Sequence, residues 1–291
     1  MSAEIVPPAG ATVHSPTPPP LWADVLRTFF GSPWKHRALI WQLVRREVVG
    51  RYRGSMGGLL WSLLNPLLLL AVYTFVFSTV FRSRWSPGGD ESRLDFALIL
   101  FVGMIVHALF AECVNRAPRL ILENVNFVKR VVFPLEVLPW VAMGATLFHA
   151  LVSLIVWSAA FLLIRGYLPW TVVWLPLVLL PLVVLTVGVA WFLAATGVYL
   201  RDVAHTTSIL TAVLLFVSPV FFPVTAIPEE WRPLVAASPL TFPIEQARAV
   251  LVWGKLPDFA GLAFYALAAF AVAFAGLAWF QKTRRGFADV L

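Results

Sequence analysis

Long apolar runs alternate with short polar strings along most of this chain. Six of the runs approach the length of a helix that crosses a hydrocarbon core, about 20 residues. They are Leu59–Phe81, Phe96–Val114, Val137–Ile164, Val172–Val198, His205–Phe222 and Phe259–Phe280. The first carries no charge, and the second is interrupted only by Glu112 near its end. Pro66, Pro176, Pro181 and Pro219 lie inside or at the edges of these runs. Such breaks are tolerated in membranes where neighbouring helices satisfy the freed backbone groups. The pattern predicts an all-α membrane protein with six transmembrane helices.

The connecting segments have patterns of their own. Trp22, Val25, Leu26, Phe29 and Phe30 fall at i, i+3, i+4, i+7 and i+8, one helical face, and Gly31-Ser32-Pro33 is predicted to end it. A second helix is predicted from Arg37 to about Arg53, with Leu39, Ile40, Leu43, Val44 and Val48 on one side and Arg45, Arg46 and Glu47 interrupting. This is the pattern of a helix lying in the membrane interface. It serves either as an anchor for the first span or as a docking surface for a cytoplasmic partner. Asn115–Pro139 is too long for a tight turn, and Leu120, Ile121, Val125 and Val128 have helical spacing, so a short exposed helix is predicted there. Prolines punctuate 219–257, where 224–236 and 239–253 are apolar but too short to span. These are predicted re-entrant or interfacial helices on the outer side, with a plain outer cap as the alternative. The chain thus divides into a proline-rich tail (1–20), an interfacial segment (21–58) and a six-span membrane domain (59–291) whose outer irregular region covers about 224–253.

Composition supports the membrane reading, with 60% hydrophobic and 13% charged residues. The net charge of +7 sits mostly at membrane edges, which suits anionic lipid or anionic substrate. Nucleic acid is a poor partner for so apolar a chain. With the N-terminus inside, the inner segments carry 15 Lys and Arg against 7 outside, so both termini are predicted cytoplasmic. Residues 1–20 contain six prolines and lack the apolar core of a signal peptide.

Several chemistries lack their residues. No Walker-type glycine loop, HExxH or GxSxG motif is present, so neither ATP hydrolysis nor another enzyme activity is expected of this chain. Cys113 is the single cysteine, and the five histidines are scattered; His107 and His149 are expected to hydrogen-bond within the bundle rather than bind metal. The span interiors are almost bare of carboxylates, with Asp95 and Glu112 at opposite ends of the second span and Asp202 at a boundary. That argues against proton coupling and points to a cytoplasmic ATPase as the energy source. A polytopic lipid-linked glycan enzyme would need a cluster of acidic or histidine side chains at one face, and these are dispersed. Aromatic residues away from the predicted interfaces, among them Tyr73, Phe77, Phe101, Phe110 and Trp191, either line a channel for sugar rings or fill gaps between helices.

Two strings carry a more specific signal: RREVVGRYRGSMGGLLWSLLNP (45–66) and LILENVNFVKRVVFPLEVLP (120–139). Their order, with an interfacial helix before the first and four spans plus an irregular outer loop after the second, resembles the permease subunit of type-2 ABC polysaccharide exporters. This Wzm-like family has O-antigen, capsule and teichoic-acid members. The resemblance covers about residues 37–291, and the proline-rich 1–20 depart from it. It implies a homodimeric channel in the bacterial cytoplasmic (inner) membrane with two nucleotide-binding subunits below, ATP and Mg belonging to those subunits and no cofactor to this chain. It implies as cargo a polysaccharide on a polyprenyl pyrophosphate lipid; teichoic acid, capsule or another amphiphile is the alternative. It places ATPase coupling on Arg45, Arg46, Glu47, Arg116, Arg119, Glu123, Lys129 and Arg130. Arg51 and Arg53 stand where an anionic headgroup would arrive, with ordinary anionic membrane lipid as the competing partner.

Overall fold

A computed structural model describes residues 21–54, 57–58, 60–76, 85, 93–128 and 133–291. The expectations for residues 1–20 and for Phe77, Lys129 and Arg130 lie outside these residues. Among the described residues every regular element is helical.

Helix α1 (Leu21–Lys35) does not stop at Gly31-Ser32-Pro33 as predicted but runs on to Lys35. Tertiary packing overrides the local breakers: Val25 is fully buried, and the Phe29 ring lies 5.8 Å from Phe270 and 6.0 Å from Trp191. Helix α2 (Arg37–Tyr52) buries the predicted face, with Leu43, Val44 and Val48 packed on Val141 and Ala145 of α6 (Leu138–Arg165). Gly144 makes that approach possible, since a Cβ there would stand 2.6 Å from Val44 Cγ2.

Among the described residues, four helical stretches are long and apolar enough to cross a membrane: Leu94–Arg119, Leu135–Arg165, Trp170–Tyr199 and Phe259–Val290. They contain α4 (Arg93–Arg116), α6, α7 (Leu175–Tyr199) and α11 (Phe259–Thr283). The other two predicted spans form shorter helices. Helix α3 begins at Leu60 and is helical through Val76, and α8 covers Val203–Val217. At about 1.5 Å per residue α8 is about 22 Å long, against about 30 Å of hydrocarbon. It stops before the predicted Phe222 because Ser218 is extended ahead of Pro219.

Helix α4 is the centre of the bundle, buried along most of its length. Helices α7 and α11 cross at bare backbone. A Cβ on Gly276 would collide with the carbonyl of Gly188, and one on Gly188 with the backbone of Ala273. Close approach of small residues is the usual way membrane helices gain packing energy.

The two irregular regions lie toward opposite ends of α4. The predicted helix after α4 is instead a series of turns, with 3-10 turns at Ala117–Arg119 and Leu122–Asn124 and a four-residue α5 (Val125–Val128). Its first part is packed rather than exposed: Ala117, Pro118, Leu120 and Ile121 are buried, and only glycine at 197 leaves room for the Pro118 carbonyl. At the other end, α9 (Arg232–Ala236) and α10 (Thr241–Leu251) fall within the predicted re-entrant stretches. The last helical turn of the chain, α12 (Phe287–Val290), folds its Phe287 back into the core.

Candidate functional site

Two helices carry the same short pattern. Glu47 and Arg51 stand four apart on α2, and Glu112 and Arg116 stand four apart on α4. Such spacing ordinarily favours a pair within one helix. Here the pairs are exchanged between helices: Arg116 Nη1 donates to Glu47 Oε1, and Arg51 Nη1 donates to Glu112 Oε1. The exchange ties the interfacial helix to the end of the central span at two points one turn apart. Burial pushes the Glu47 carboxyl up from its ordinary value, and the neighbouring Arg116 works against that rise.

His149 of α6 completes the cluster. Its Nδ1 lies 2.8 Å from Glu112 Oε1 and 3.3 Å from Arg51 Nη1, and its Nε2 lies 3.2 Å from the Tyr52 hydroxyl. Glu47, Arg51, Glu112, Arg116 and His149 border a cavity of about 670 Å³ whose walls also include Asn115, Arg119 and Glu123. A second cavity, about 260 Å³, shares Arg51, Glu112 and His149 with the first and extends past Asn65 and Pro66 to Tyr73 and Phe101. The shared walls set a charged cavity beside a more apolar one between α3 and α4. The arginines of the first can meet an anionic group on leaving their carboxylates, and aromatic walls such as those of the second can meet the apolar faces of sugar rings.

The site residues expected from sequence separate into groups. Glu47, Arg116, Arg119 and Glu123 border the larger cavity, and Arg46 shares a smaller one with Glu47, Arg116 and Glu123. The Arg46 guanidinium also stands 6.0 Å from the Phe127 ring, which stacks on Phe133 at 4.2 Å, so α2 touches the turns after α4. Arg45 points elsewhere, to an apolar groove between Trp41 and Leu151. Arg51 stands at the junction of the two cavities, whereas Arg53 is exposed beyond the end of α2 and borders neither. Tyr73 and Phe101 border the second cavity, Phe101 from within the core, where it is 3% exposed. Phe110 and Trp191 are buried in the same core and border neither cavity, Trp191 donating its indole N–H to the Glu136 carbonyl at 3.0 Å. They fill gaps between helices. His107 is apart from His149 and bonds the Thr211 carbonyl at 3.0 Å. Among the described residues no group of three or more His, Cys, Asp or Glu is placed to hold a metal.

Sequence reasoning passed over Glu112, His149 and Tyr52 as members of one site. The repeated Glu-x-x-x-Arg of α2 and α4 was the available signal; for His149, a lone histidine in an apolar run, there was none. It also passed over Arg248 of α10. That side chain is fully buried and donates to the carbonyls of Ile99 (3.2 Å), Pro219 (2.6 Å) and Val220 (2.8 Å) and to Glu245 (3.0 Å), with its guanidinium 4.2 Å from the centre of the Trp85 ring.

Known proteins supply the context for this arrangement. Residues 38–252 match the model of the ABC-2 type transporter family. The O-antigen export system permease protein RfbA of Myxococcus xanthus is 29% identical over 258 residues, covering 88% of this chain and 96% of that protein. RfbA of Klebsiella pneumoniae is 26% identical over 254 residues, covering 86% and 93%. The polysialic acid transport protein KpsM of Escherichia coli is 25% identical over 245 residues, covering 82% and 91%. The kinship expected from the two sequence strings is borne out, and the chain belongs to the ABC-2 type transporter family, as a membrane permease and not an enzyme.

Proposed function

We propose that this chain is the channel-forming subunit of an ATP-driven exporter of a polyprenyl-pyrophosphate-linked polysaccharide. Two copies work with two ATPase subunits in the bacterial cytoplasmic membrane, both termini facing the cytoplasm. The observation that carries the reading is the charged cavity at the α2–α4 junction, which shares Arg51, Glu112 and His149 with the more apolar cavity that reaches Tyr73 and Phe101. Their chemistry matches the two halves of such a substrate, an anionic headgroup in the first and a glycan in the second. The permease relatives that export O-antigen or transport polysialic acid support the polysaccharide class.

ATP and Mg act in the partner subunits. Closure of the ATPases pushes on α2 and on the turns at 117–128, and the exchanged Glu47–Arg116 and Arg51–Glu112 pairs carry that push to α4. Arg46, Arg119 and Glu123 belong to this coupling surface, and Arg45 to its lipid-facing side. Arg51 receives the pyrophosphate, since charge-assisted bonds from a guanidinium to phosphate oxygens are strong and directional. Arg51→Gln is expected to abolish export while leaving membrane insertion intact, read as loss of surface glycan with unchanged protein in the membrane fraction. Normal surface glycan in that variant would remove the headgroup role.

A further inference from the structure

The Arg51–Glu112 pair is unequal. The Arg51 side chain is 56% exposed, whereas Glu112 is 28% and His149 17% exposed. Arg51 stands in the last turn of α2, three residues before Gly54, whose φ of +89° is a conformation that side chains disfavour. Glu112 and His149 stand inside the long packed helices α4 and α6. One partner is on a helix end and the other is fixed.

His149 explains how the carboxylate stays in place. With the proton on Nδ1, the ring donates to Glu112 and its Nε2 accepts from the Tyr52 hydroxyl; the Arg51 Nη1, 3.3 Å from Nδ1, then bonds the carboxylate and not the ring. The carboxylate therefore keeps a donor when Arg51 leaves. The larger cavity offers no surplus of positive charge: Arg51, Arg116 and Arg119 face Glu47, Glu112 and Glu123. An entering phosphoanion must draw an arginine away from a carboxylate. Of the two cross-helix pairs, Arg51–Glu112 has the more exposed arginine, 56% against 37% for Arg116.

We infer that Glu112, held by His149, is a competing counter-ion that surrenders Arg51 to the phosphoanionic headgroup and reclaims it on release. This rests on the reading of Arg51 as the headgroup contact. Glu112 is then a positioning residue that sets headgroup affinity without touching the substrate. The exchange moves Arg51 from an ion pair on α4 to one with the cargo, which loosens one of the two cross-links between α2 and α4.

The test uses the full chain co-purified with its ATPase subunits and, as probe, a short-chain polyprenyl pyrophosphate without glycan. Glu112→Gln frees Arg51 and is expected to bind the probe about two- to five-fold tighter, the span that follows from releasing a partly exposed ion pair. His149→Leu strips the carboxylate of its second donor, tightens its hold on Arg51 and is expected to weaken binding. Opposite signs in the two variants are what competition requires; a merely structural cluster would lose binding in both. Unchanged or weaker binding in Glu112→Gln, with Arg51→Gln binding poorly, overturns the counter-ion role and leaves the headgroup reading standing. Wild-type affinity in Arg51→Gln overturns the headgroup reading and the counter-ion role with it. Should Glu112→Gln fail to co-purify with the ATPase, Glu112→Asp takes its place: the shorter carboxylate holds Arg51 less well, so tighter binding supports the exchange, and equal or weaker binding overturns it.

Discussion

Arg248 and Arg51 attach helices to opposite ends of α4, and they do so in contrasting ways. Arg248 is fully buried and spends its donors on three backbone carbonyls and Glu245. Two of those carbonyls, Pro219 and Val220, follow the point where α8 breaks off, so the side chain supplies donors that the broken backbone lacks. Arg51 is more than half exposed, shares one carboxylate oxygen with a histidine and borders two cavities. A buried arginine whose bonds go to backbone is a fixed brace. An exposed one whose bond goes to a single carboxylate can change partners at little cost. The same residue type fastens one end of the span permanently and the other end exchangeably.

The contrast is open to attack by substitution. Arg248→Ala leaves three carbonyls and a partly buried glutamate without their donor, and a loss of about 3–5 kcal/mol is expected, the range for breaking a buried charged network. It should appear as poor recovery of folded protein or a large fall in Tm in detergent. A variant of wild-type stability would mean that Arg248 is no brace. Gly103→Ala presses on the same arginine, because the new Cβ would lie 2.8 Å from Arg248 Nη2 and 3.3 Å from the Val220 backbone. Overpacking of this kind costs about 1–3 kcal/mol, so a smaller Tm drop is expected, shrinking further in combination with Arg248→Ala. At the other end, Glu47→Arg and Arg116→Glu should each weaken coupling between ATP hydrolysis and export, and the double reversal should recover part of it. The interaction is expected to be at the scale of about 0.2–1 kcal/mol for a partly exposed pair, measured as a double-mutant cycle on substrate-stimulated hydrolysis. Raised salt should mimic the single reversals at this end and leave the Arg248 end untouched. The smallest effect is expected from Arg53→Gln, which removes a charge that borders neither cavity; stability should stay within about 0.5 kcal/mol and export should persist, whereas Arg51→Gln loses it.

Much of the architecture was legible because hydrophobic length is a direct signal. The apolar runs at 96–114, 137–164, 172–198 and 259–280 became long helices, and the face Leu43, Val44, Val48 met α6. The end of α1 was misread because Gly31 and Pro33 are local signals, and aromatic packing around Phe29 outweighs them. The segment after α4 was read as one exposed helix because its apolar spacing is helical; the same apolar residues are instead tucked under α7 as turns, which Gly197 permits. The site was legible in part. Arg116 and Glu123 follow from the family resemblance, and Arg51 from its charge at the membrane edge. Arg248 carries no such signal, because sequence does not show that a broken helix leaves carbonyls waiting for it. Glu112 looked like a flaw in a span because its partner comes from a helix sixty residues earlier.

The bare crossing of Gly188 with Ala273 and Gly276 has a mechanical consequence. Two backbones in direct touch have no layer of side chains to slide or ratchet through. Helices α7 and α11 are held at one fixed spacing there, whereas the shorter, sparsely buried α3 and α8 show Leu67, Leu68, Val72, Ile209, Val213 and Phe216 on their outer surfaces and are the less constrained pair.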